Sequence, residues 1–158
     1  MSRIRLRQLR DADFDQVLDL VQNPDVMQYL GDQRPLTQPE AAAWFNEEIT
    51  LTTRFAIALA DSDEFIGIFG IKTKGGLNDF NCFLRKSYWQ QGYATEACAA
   101  FMTMANIIPE INDMEIFIAN DNHASQHLAK KLGYVALSPA QSDRGDGHLY
   151  ALPMQAYE

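Results

Sequence analysis

The first third of the chain changes from an alternating to a helical pattern of apolar residues. Residues 3–8 alternate between apolar and polar or basic side chains, which predicts a half-buried strand. Apolar residues between Phe14 and Val21 then share one helical face. Thr37, followed within one turn by Glu40, predicts the capped start of a second helix. We therefore expect one strand and then two helices.

The central segment indicates three consecutive strands. Phe55–Ala60 and Phe65–Lys72 are apolar runs joined by the turn-forming residues Asp61–Glu64, so they predict a hairpin. Gly75–Gly76 predicts a second turn, after which Asp79–Leu84 forms a further strand. Short turns of this kind join antiparallel neighbours.

The second half of the chain predicts two more helices and three more strands. Small and apolar residues recur at helical spacing through residues 92–106, and Met114–Ala119 is apolar on both faces, as in a central strand. Because a helix separates them, Asp79–Leu84 and Met114–Ala119 are predicted to be parallel. Asn122–Leu132 is the last helix, and Tyr134–Leu137 with His148–Leu152 is a closing hairpin.

These elements predict a mixed α+β fold, and the composition fits one domain over residues 1–158. The chain has 158 residues, of which 47% are hydrophobic, enough for one sizeable core. Its apolar runs are too short to cross a bilayer, and its first residues lack a secretory pattern, so we expect no membrane partner. Two cysteines, both in apolar segments, favour a reducing compartment and therefore a cytoplasmic protein.

The charge of the chain narrows the classes of ligand. A formal net charge of -8 disfavours binding to nucleic acid, whose phosphates are neutralised by Lys and Arg. The same charge could attract a cationic amine, although it is more commonly a contribution to solubility.

The turn before the long helix is the most informative segment for function. Residues 88–97 leave a strand and open the alanine-rich helix. The first turn of a helix has unpaired backbone N–H groups, which bind phosphate, and Gly92 allows close approach of the ligand. By itself this is a weak signal, and a plain connection is the safer interpretation. Neither the Rossmann nor the Walker pattern of glycines is present.

Three blocks of sequence give this turn a stronger interpretation. Trp89–Ala97, Asn122–Ser125 and Lys131–Tyr134 occur in the order found in the GNAT superfamily of N-acetyltransferases, which the chain resembles over nearly its whole length. More narrowly, the sequence resembles the branch that acetylates the N-terminal alanine or serine of ribosomal proteins. The resemblance implies a mixed, mostly antiparallel sheet of about seven strands, in which two parallel strands splay apart at the cofactor cleft.

The resemblance also implies acetyl-coenzyme A as co-substrate and a set of residues that bind it. Two positions depart from the superfamily pattern: Trp89 replaces a usual Arg or Gln, and Asn81 replaces a frequent glycine. Asn122 is expected to contact the pantetheine arm, and the N–H of Leu84 to polarise the thioester carbonyl. The remaining cofactor-binding residues form the turn itself: Gln90, Gln91, Gly92, Tyr93, Ala94 and Thr95.

Two side chains are candidates for proton transfer during direct attack of an amine on the thioester. Asp79 matches a position where the branch often carries Glu, and is the candidate base; a solvated turn residue is the equally good structural alternative. Ser125 is the candidate acid for the departing thiolate, against a role in helix capping. The superfamily's usual tyrosine acid is excluded because Ala129 occupies its position.

The remaining candidates are weighed against simpler roles. His123 and His127 share a helical face but lack a third ligand, so no metal is expected. Glu96 is attributed to the helix dipole.

The expected acceptor of the acetyl group is a protein N-terminus or a small amine such as an antibiotic or polyamine. The alternative to an enzyme is a non-catalytic acyl-coenzyme A binding module. A homodimer is compatible with the sequence.

An acceptor pocket is a further hypothesis for the first two helices. It would be lined by Met27, Tyr29, Trp44 and Phe45. Aromatic and Met residues at this spacing belong more often to the core.

Overall fold

The computed structural model describes residues 2–28, 34–107, 109–142 and 145–152. Its first part is one strand followed by a group of helices. Thr37 caps the third of these helices through a reciprocal pair of hydrogen bonds with Glu40, as the sequence predicts. The elements are β1 (Ile4–Arg7), a short 3-10 helix (Asp11–Asp13), α1 (Phe14–Val21), α2 (Pro24–Met27) and α3 (Gln38–Glu48).

The second part supplies six strands and the helices that cross between them. The turn at residues 75–76 has positive φ at both glycines, 59° and 82°, which explains why glycine occupies both positions. The elements are β2 (Arg54–Leu59), β3 (Phe65–Lys74), β4 (Leu77–Leu84), α4 (Tyr93–Ile107), α5 (Pro109–Asp113), β5 (Ile116–Ala119), α6 (His123–Lys131), β6 (Val135–Ser142) and β7 (Gly145–Ala151).

The strands form one seven-stranded sheet in the order β1-β2-β3-β4-β5-β7-β6. Every neighbouring pair is antiparallel except β4 and β5, which are parallel. This arrangement confirms the predicted mixed α+β fold with a mostly antiparallel sheet. It also confirms the parallel pair inferred from the helix between those two strands.

Each face of the sheet is covered by its own group of helices. One face packs against α4 and α6, where Phe69, Phe80 and Phe101 are fully buried and in mutual ring contact. The other face packs against α1, α2 and α3, with Val17 and Leu20 fully buried among them. Because side chains alternate along a strand, neighbouring residues of β4 contact opposite layers. Phe80 and Cys82 lie on the α4 side, and Phe83 on the α1 side.

The structure differs from the sequence prediction in three connections. The helix α2 was not predicted; the Asn23 side chain caps it, with Pro24 in its first turn. The helix α5, which begins at Pro109, was not predicted either. The closing hairpin is longer than predicted, because β6 continues through the exposed Pro139 to Ser142.

Candidate active site

The parallel strands β4 and β5 pair only at one end. Their register consists of Asn78 opposite Ile116 and Asp79 opposite Phe117. Beyond these residues β4 stays paired with β3 as far as Leu84, whereas β5 pairs with β7. The two strands therefore part after Asp79, and the sheet opens between them, as the resemblance implies.

Every second residue of β4 directs its backbone N–H and C=O groups away from β3 and into this opening. The N–H of Arg85 donates to the Ile66 oxygen of β3 at 2.8 Å. Bonded and non-bonded pairs alternate along antiparallel strands, so the next pair, Gly67 with Leu84, is non-bonded. Leu84 and Cys82 therefore direct their N–H and C=O groups away from β3, towards the space that β5 has left. This is the position required of the Leu84 N–H by the sequence hypothesis.

A mainly apolar cleft occupies the opening and has a volume of about 280 Å³. It reaches both layers of the protein, because β4 contributes neighbouring residues that face opposite sides of the sheet. The lining residues are Asp25 and Val26 of α2, Cys82, Phe83 and Leu84 of β4, Trp89 and Ala94 of the following turn and helix, and Asn122, Ala124 and Leu128 at α6. The predicted residues Leu84, Ala94 and Asn122 are among them.

The turn at the edge of the cleft leaves a row of backbone amides without acceptors. Gln90 and Gly92 have positive φ angles of 61° and 84°, and only the glycine adopts such a value without steric cost. The N–H of Glu96 donates to the Gly92 oxygen, beginning the hydrogen bonds of α4. Among the described residues, no protein acceptor is found for the amides of residues 90–95. Such a row beside the positive end of a 15-residue helix is a site for an anion.

The segment before this turn is held to the sheet and to α1 by hydrogen-bonded charges. Arg85 donates to Asp19 and Glu64, both at 2.8 Å. The Tyr88 hydroxyl donates to the same Glu64 carboxylate, also at 2.8 Å. These bonds from Tyr88 and Arg85 lower the pKa of Glu64 below its ordinary value, so the carboxylate stays ionised at neutral pH. The indole N–H of Trp89 donates to the Leu84 oxygen at 2.8 Å, which fixes the start of the turn.

Arg3 of the segment leading into β1 contacts the turn from its other flank. Its Nη2 donates to the Gln91 oxygen at 2.8 Å, and its guanidinium carbon lies 4.2 Å from the Tyr93 ring centroid. The same guanidinium forms an ion pair with Glu96, whose carboxylate also accepts from the Arg3 backbone N–H at 3.0 Å. Burial disfavours the charged form of Glu96, but the bonds from Arg3 outweigh it and lower its pKa. Sequence reasoning assigned Glu96 to the helix dipole and did not anticipate Arg3.

Asn122 and Ser125 form the start of α6 on the opposite wall. The Asn122 Oδ1 accepts from the Ser125 backbone N–H at 3.1 Å, which confirms the predicted cap. The side chain of Asn122 lines the cleft. Ser125 is only 2% exposed and is not among the lining residues, so its neighbours Asn122 and Ala124 form the wall. Its role as an acid stays a prediction.

Asp79 lies at the base of the opening, at the last paired position of β4. Its Oδ2 accepts from the Nδ2 of Asn81 at 3.2 Å, and Asn81 itself is buried. Asn81, where the superfamily frequently has glycine, thus provides the carboxylate with a hydrogen-bond donor. Both side chains lie on the α1 side of the sheet, since they alternate with Phe80 and Cys82. The assignment of Asp79 as the base also stays a prediction.

A buried group of charges on that face was not anticipated from the sequence. Glu48 has a side-chain exposure of 1% and accepts from Arg54 at 3.2 Å and Lys72 at 2.7 Å. Arg54 also lies over the ring of Phe83, with 5.5 Å between its guanidinium carbon and the centroid. Lys72 is directly opposite Asp79 in the ladder. The pattern of apolar and polar residues along the sequence did not predict this charged group, because its members come from three separate elements.

The cysteine in the cleft is not poised as a nucleophile. Cys82 lines the cavity, and desolvation raises the pKa of its thiol well above the ordinary range, with a smaller contribution from Cys98. The thiol therefore remains protonated at neutral pH. Burial likewise raises the pKa of Cys98, to about 11.

The residues considered for a separate acceptor pocket lie elsewhere. Met27 and Phe45 are buried in the core beneath α1 to α3, and Trp44 packs against it. Tyr29 lies outside the described residues. Over the described ranges, no three His, Cys, Asp or Glu side chains converge as metal ligands. None of the helices that the structure describes has the length and hydropathy needed to span a membrane.

Comparison with solved structures finds the same architecture in bacterial acetyltransferases. An acetyltransferase from Agrobacterium tumefaciens is 23% identical, with a TM-score of 0.73 over 97% of this chain and 93% of that one. A GNAT-family acetyltransferase from Bacillus anthracis is 18% identical, with a TM-score of 0.72 over 95% of each chain. Spermidine N-acetyltransferase from Vibrio cholerae, in complex with coenzyme A and spermine, is 19% identical, with a TM-score of 0.70 over 95% of each chain.

A search of curated proteins finds no match to this chain. The family model described as an acetyltransferase (GNAT) domain, however, matches residues 3–135. This range runs from the segment before β1 to the start of β6, and it contains the parallel pair, the cleft, the turn and α6. The chain therefore belongs to the GNAT acetyltransferase family.

Proposed function

We propose that this protein transfers the acetyl group of acetyl-coenzyme A to a primary amine. The observation that carries the proposal is the cleft at the parting of β4 and β5, bordered by the unpaired amides of residues 90–95. Family membership supports acetyl transfer as the chemistry, and a mainly apolar cleft beside a row of unpaired amides suits a co-substrate with a long arm and a diphosphate. The amine that accepts the group is the part of the proposal that needs separate support.

The cofactor is proposed to bind mainly through backbone groups. The diphosphate is placed on the amides from Gln90 to Thr95, where the positive end of α4 adds to the attraction. Ala94 has a small side chain in the cleft wall and leaves room beside the turn. The pantetheine arm is placed along β4, where Cys82 and Leu84 direct polar backbone groups into the cleft, with Asn122 on the far wall.

The proposed reaction is direct attack of the amine nitrogen on the thioester carbon. A C–N bond forms as the C–S bond breaks, and the Leu84 N–H stabilises the negative charge on the carbonyl oxygen. The amine must first lose a proton, which passes through water to the Asp79 carboxylate at the base of the opening. The nitrogen is positively charged once the C–N bond has formed, and it gives up its second proton to water as the C–S bond breaks. The departing thiolate takes a proton from the Ser125 hydroxyl, and water returns a proton to Ser125.

The state of Cys82 supports direct attack over an acetyl-cysteine intermediate. A thiol must ionise to attack a thioester, and desolvation raises the pKa of Cys82. Cys82 is therefore assigned to the wall of the cleft.

The acceptor is proposed to be a protein N-terminus, as in the ribosomal-protein branch, or a small amine. The resemblance in residues 89–97 and 122–134 supports the first. Asp25 supports the second, because it places a carboxylate in the cleft lining and is paired there with the Lys86 ammonium. A cationic amine would compete with Lys86 for this carboxylate. The chain's net charge of -8 adds a weak general attraction for such amines.

The experiment that tests the proposal measures free thiol released from acetyl-coenzyme A with a panel of amines. The panel contains peptides with N-terminal alanine or serine, spermidine and an aminoglycoside. Turnover with at least one amine supports the proposal. Binding of coenzyme A without turnover on any amine would instead favour the non-catalytic module.

Asp25→Asn separates the two acceptor classes. We expect the KM for spermidine to rise about fivefold, because one exposed ion pair contributes up to about 1 kcal/mol. The KM for a peptide whose only cationic group is its N-terminus should change less than about twofold, since the reacting nitrogen must be neutral and the peptide has no further ammonium to pair with Asp25. Equal changes in the KM values for the two acceptors would show that Asp25 does not select between the acceptor classes.

Cytoplasmic location and a homodimer stay predictions. The first is supported by the free thiols of Cys82 and Cys98, which suit a reducing compartment. The second is tested by light scattering at micromolar concentration, where a monomer mass would contradict it.

A further inference from the structure

The guanidinium of Arg3 is held by three groups that all belong to the cofactor turn or the first turn of α4. These are the Gln91 carbonyl, the Tyr93 ring and the Glu96 carboxylate. Arg3 comes from the opposite end of the sequence, next to β1, so the contact joins two regions that lie 88 positions apart along the chain. The side chain is 49% exposed, so packing alone does not account for its fixed position.

The contact with Gln91 fixes the direction in which the next amide points. The chain has no cis peptide bonds among its described residues, so the C=O of Gln91 and the N–H of Gly92 lie on opposite edges of one peptide plane. The Arg3 Nη2 donates to that carbonyl at 2.8 Å and so holds it in one orientation. The Gly92 N–H therefore points away from Arg3.

The direction away from Arg3 is the direction of the cleft. Arg3 and Glu96 line a separate groove between β1 and α4, whereas Trp89 and Ala94 of the same turn line the cofactor cleft. Gly92 has φ of 84°, a conformation in which glycine also has easy access to alternatives. A peptide next to such a glycine can rotate unless something holds it.

We propose that Arg3 is a positioning residue that holds the Gln91–Gly92 peptide in the orientation presenting the Gly92 amide to the cofactor diphosphate. The inference rests on the proposed function, since it concerns the same cofactor. Arg3 also neutralises Glu96, whose carboxylate would otherwise lie close to a diphosphate in the first turn of α4. The two effects act in the same direction and can be separated by substitution.

The test compares Arg3→Gln with Arg5→Gln by calorimetric titration of coenzyme A. Arg5 is the matched control, because it lies only two residues further along the chain, in β1, is 53% exposed and pairs with Asp63 instead of the turn. We expect Arg3→Gln to weaken coenzyme A binding about tenfold and Arg5→Gln less than about twofold, since a hydrogen bond to a charged group is at stake. Equal affinities for the two variants would overturn the inference.

Pantetheine, which lacks the diphosphate, distinguishes positioning from general loss of structure. Arg3→Gln should leave its affinity unchanged, whereas a distorted cleft would weaken pantetheine and coenzyme A alike and overturn the inference. Arg3→Lys, with an ammonium in place of the planar fork, should lie between wild type and Arg3→Gln. Full recovery by Arg3→Lys would also support positioning, because the lysine ammonium can donate to the Gln91 carbonyl, and the double variant described next separates charge from positioning.

The double variant Arg3→Gln/Glu96→Gln removes the two charges together. If neutralising Glu96 were the whole role of Arg3, the double variant would bind coenzyme A like wild type. We expect the affinity of the double variant for coenzyme A to stay at least about fivefold below that of the wild type, because nothing then holds the Gln91–Gly92 peptide in place. Wild-type protein that binds no coenzyme A would defeat the proposed function as well, whereas normal binding by Arg3→Gln defeats this inference only.

Discussion

The two sides of the cleft differ in their polar groups, which belong to the main chain on one side and to side chains on the other. On the side proposed to bind the cofactor, the available polar groups are main-chain amides at residues 90–95 and the backbone of Cys82 and Leu84. On the α1 side, the Asp25 side chain lines the cleft, and the side chains of Asp79 and of the buried Glu48 with its two cationic partners lie on the same face of the sheet. A backbone site needs only a fold and a few small residues, whereas a side-chain site depends on each residue.

This difference explains why the family is informative about one substrate and not the other. The diphosphate of coenzyme A is the same whichever acceptor is used, and we propose that the turn with Gly92 and Ala94 binds it through main-chain amides. Acceptors differ in shape and charge, so the residues facing them change. Spermine and aminoglycosides occur in structures that share this fold at 19% and 13% identity.

Asp79→Asn tests the assignment of Asp79 as the general base and has the largest expected effect. If Asp79 accepts the amine proton, we expect kcat to fall about 100-fold or more, because a general base contributes at least that factor. Coenzyme A affinity should be unchanged, since the carboxylate does not line the cleft. Steady-state kinetics with the best amine provides the measurement. Asp61→Asn, in the exposed β2–β3 turn, is the control, and an equally small effect of both would exclude Asp79 as the base.

Gly92→Val tests the backbone nature of the cofactor side. A β-branched residue at φ of 84° is strained by about 1–2 kcal/mol, and its Cβ would lie 3.3 Å from the Arg3 Nη2. The turn should relax out of position, so coenzyme A affinity falls about 20-fold, which calorimetry measures.

Gly75→Val is the matched control for this substitution. Gly75 also has positive φ, 59°, but a Cβ at this position would have no atom within 4 Å, and the residue belongs to the distant β3–β4 turn. Both variants should lose comparable thermal stability, and only Gly92→Val should lose affinity. A Gly92→Val protein with wild-type affinity would show that these amides are not the diphosphate site.

Ser125→Ala separates catalysis from capping on the α6 wall. The cap uses the backbone N–H of Ser125, which alanine retains, so the helix should be unaffected. Loss of a proton donor to the thiolate should lower kcat about tenfold at constant coenzyme A affinity, as a modest general-acid effect. Ser87→Ala, which removes an exposed hydroxyl from a short 3-10 helix (Lys86–Tyr88) before the turn, is the comparison. Unchanged kcat in Ser125→Ala would leave Ser125 with a structural role only.

Cys82→Ser has the smallest expected effect. Because the raised pKa keeps the thiol protonated, removing it should change kcat less than about twofold. Iodoacetamide should also modify Cys82 slowly at pH 7 and faster as the pH rises towards the raised pKa. A loss of activity comparable to that of Asp79→Asn would point to a covalent acetyl-cysteine step.

The sequence predicted the sheet and the turn before α4 because both depend on local patterns, whereas the role of that turn in cofactor binding rests on the family resemblance and stays a prediction. Alternation and turn residues located β2, β3 and β4 to within a few positions, and Gly92 marked the turn. The helix α2 was missed because Asn23 and Pro24 signal both the end of one helix and the start of another.

The contacts that sequence could not reveal are those between distant segments. Arg3 with Glu96, and Glu48 with Arg54 and Lys72, depend on how elements pack across a face. Each of these residues is an ordinary surface charge by local pattern. Only the packing of the folded chain brings these residues together, so no spacing along the sequence predicts their contacts.

Main-chain amides before and within the first turn of α4 are proposed to bind the cofactor diphosphate, and all the other assignments depend on this contact. It can be measured by calorimetry with three ligands: coenzyme A, dephospho-coenzyme A and pantetheine. We expect the first two to bind with affinities within about threefold of each other. Pantetheine should bind at least about 30-fold more weakly, because it lacks the diphosphate that these amides would hold. Equal binding of pantetheine, or no binding of coenzyme A to folded protein, would show that these amides are not the diphosphate site.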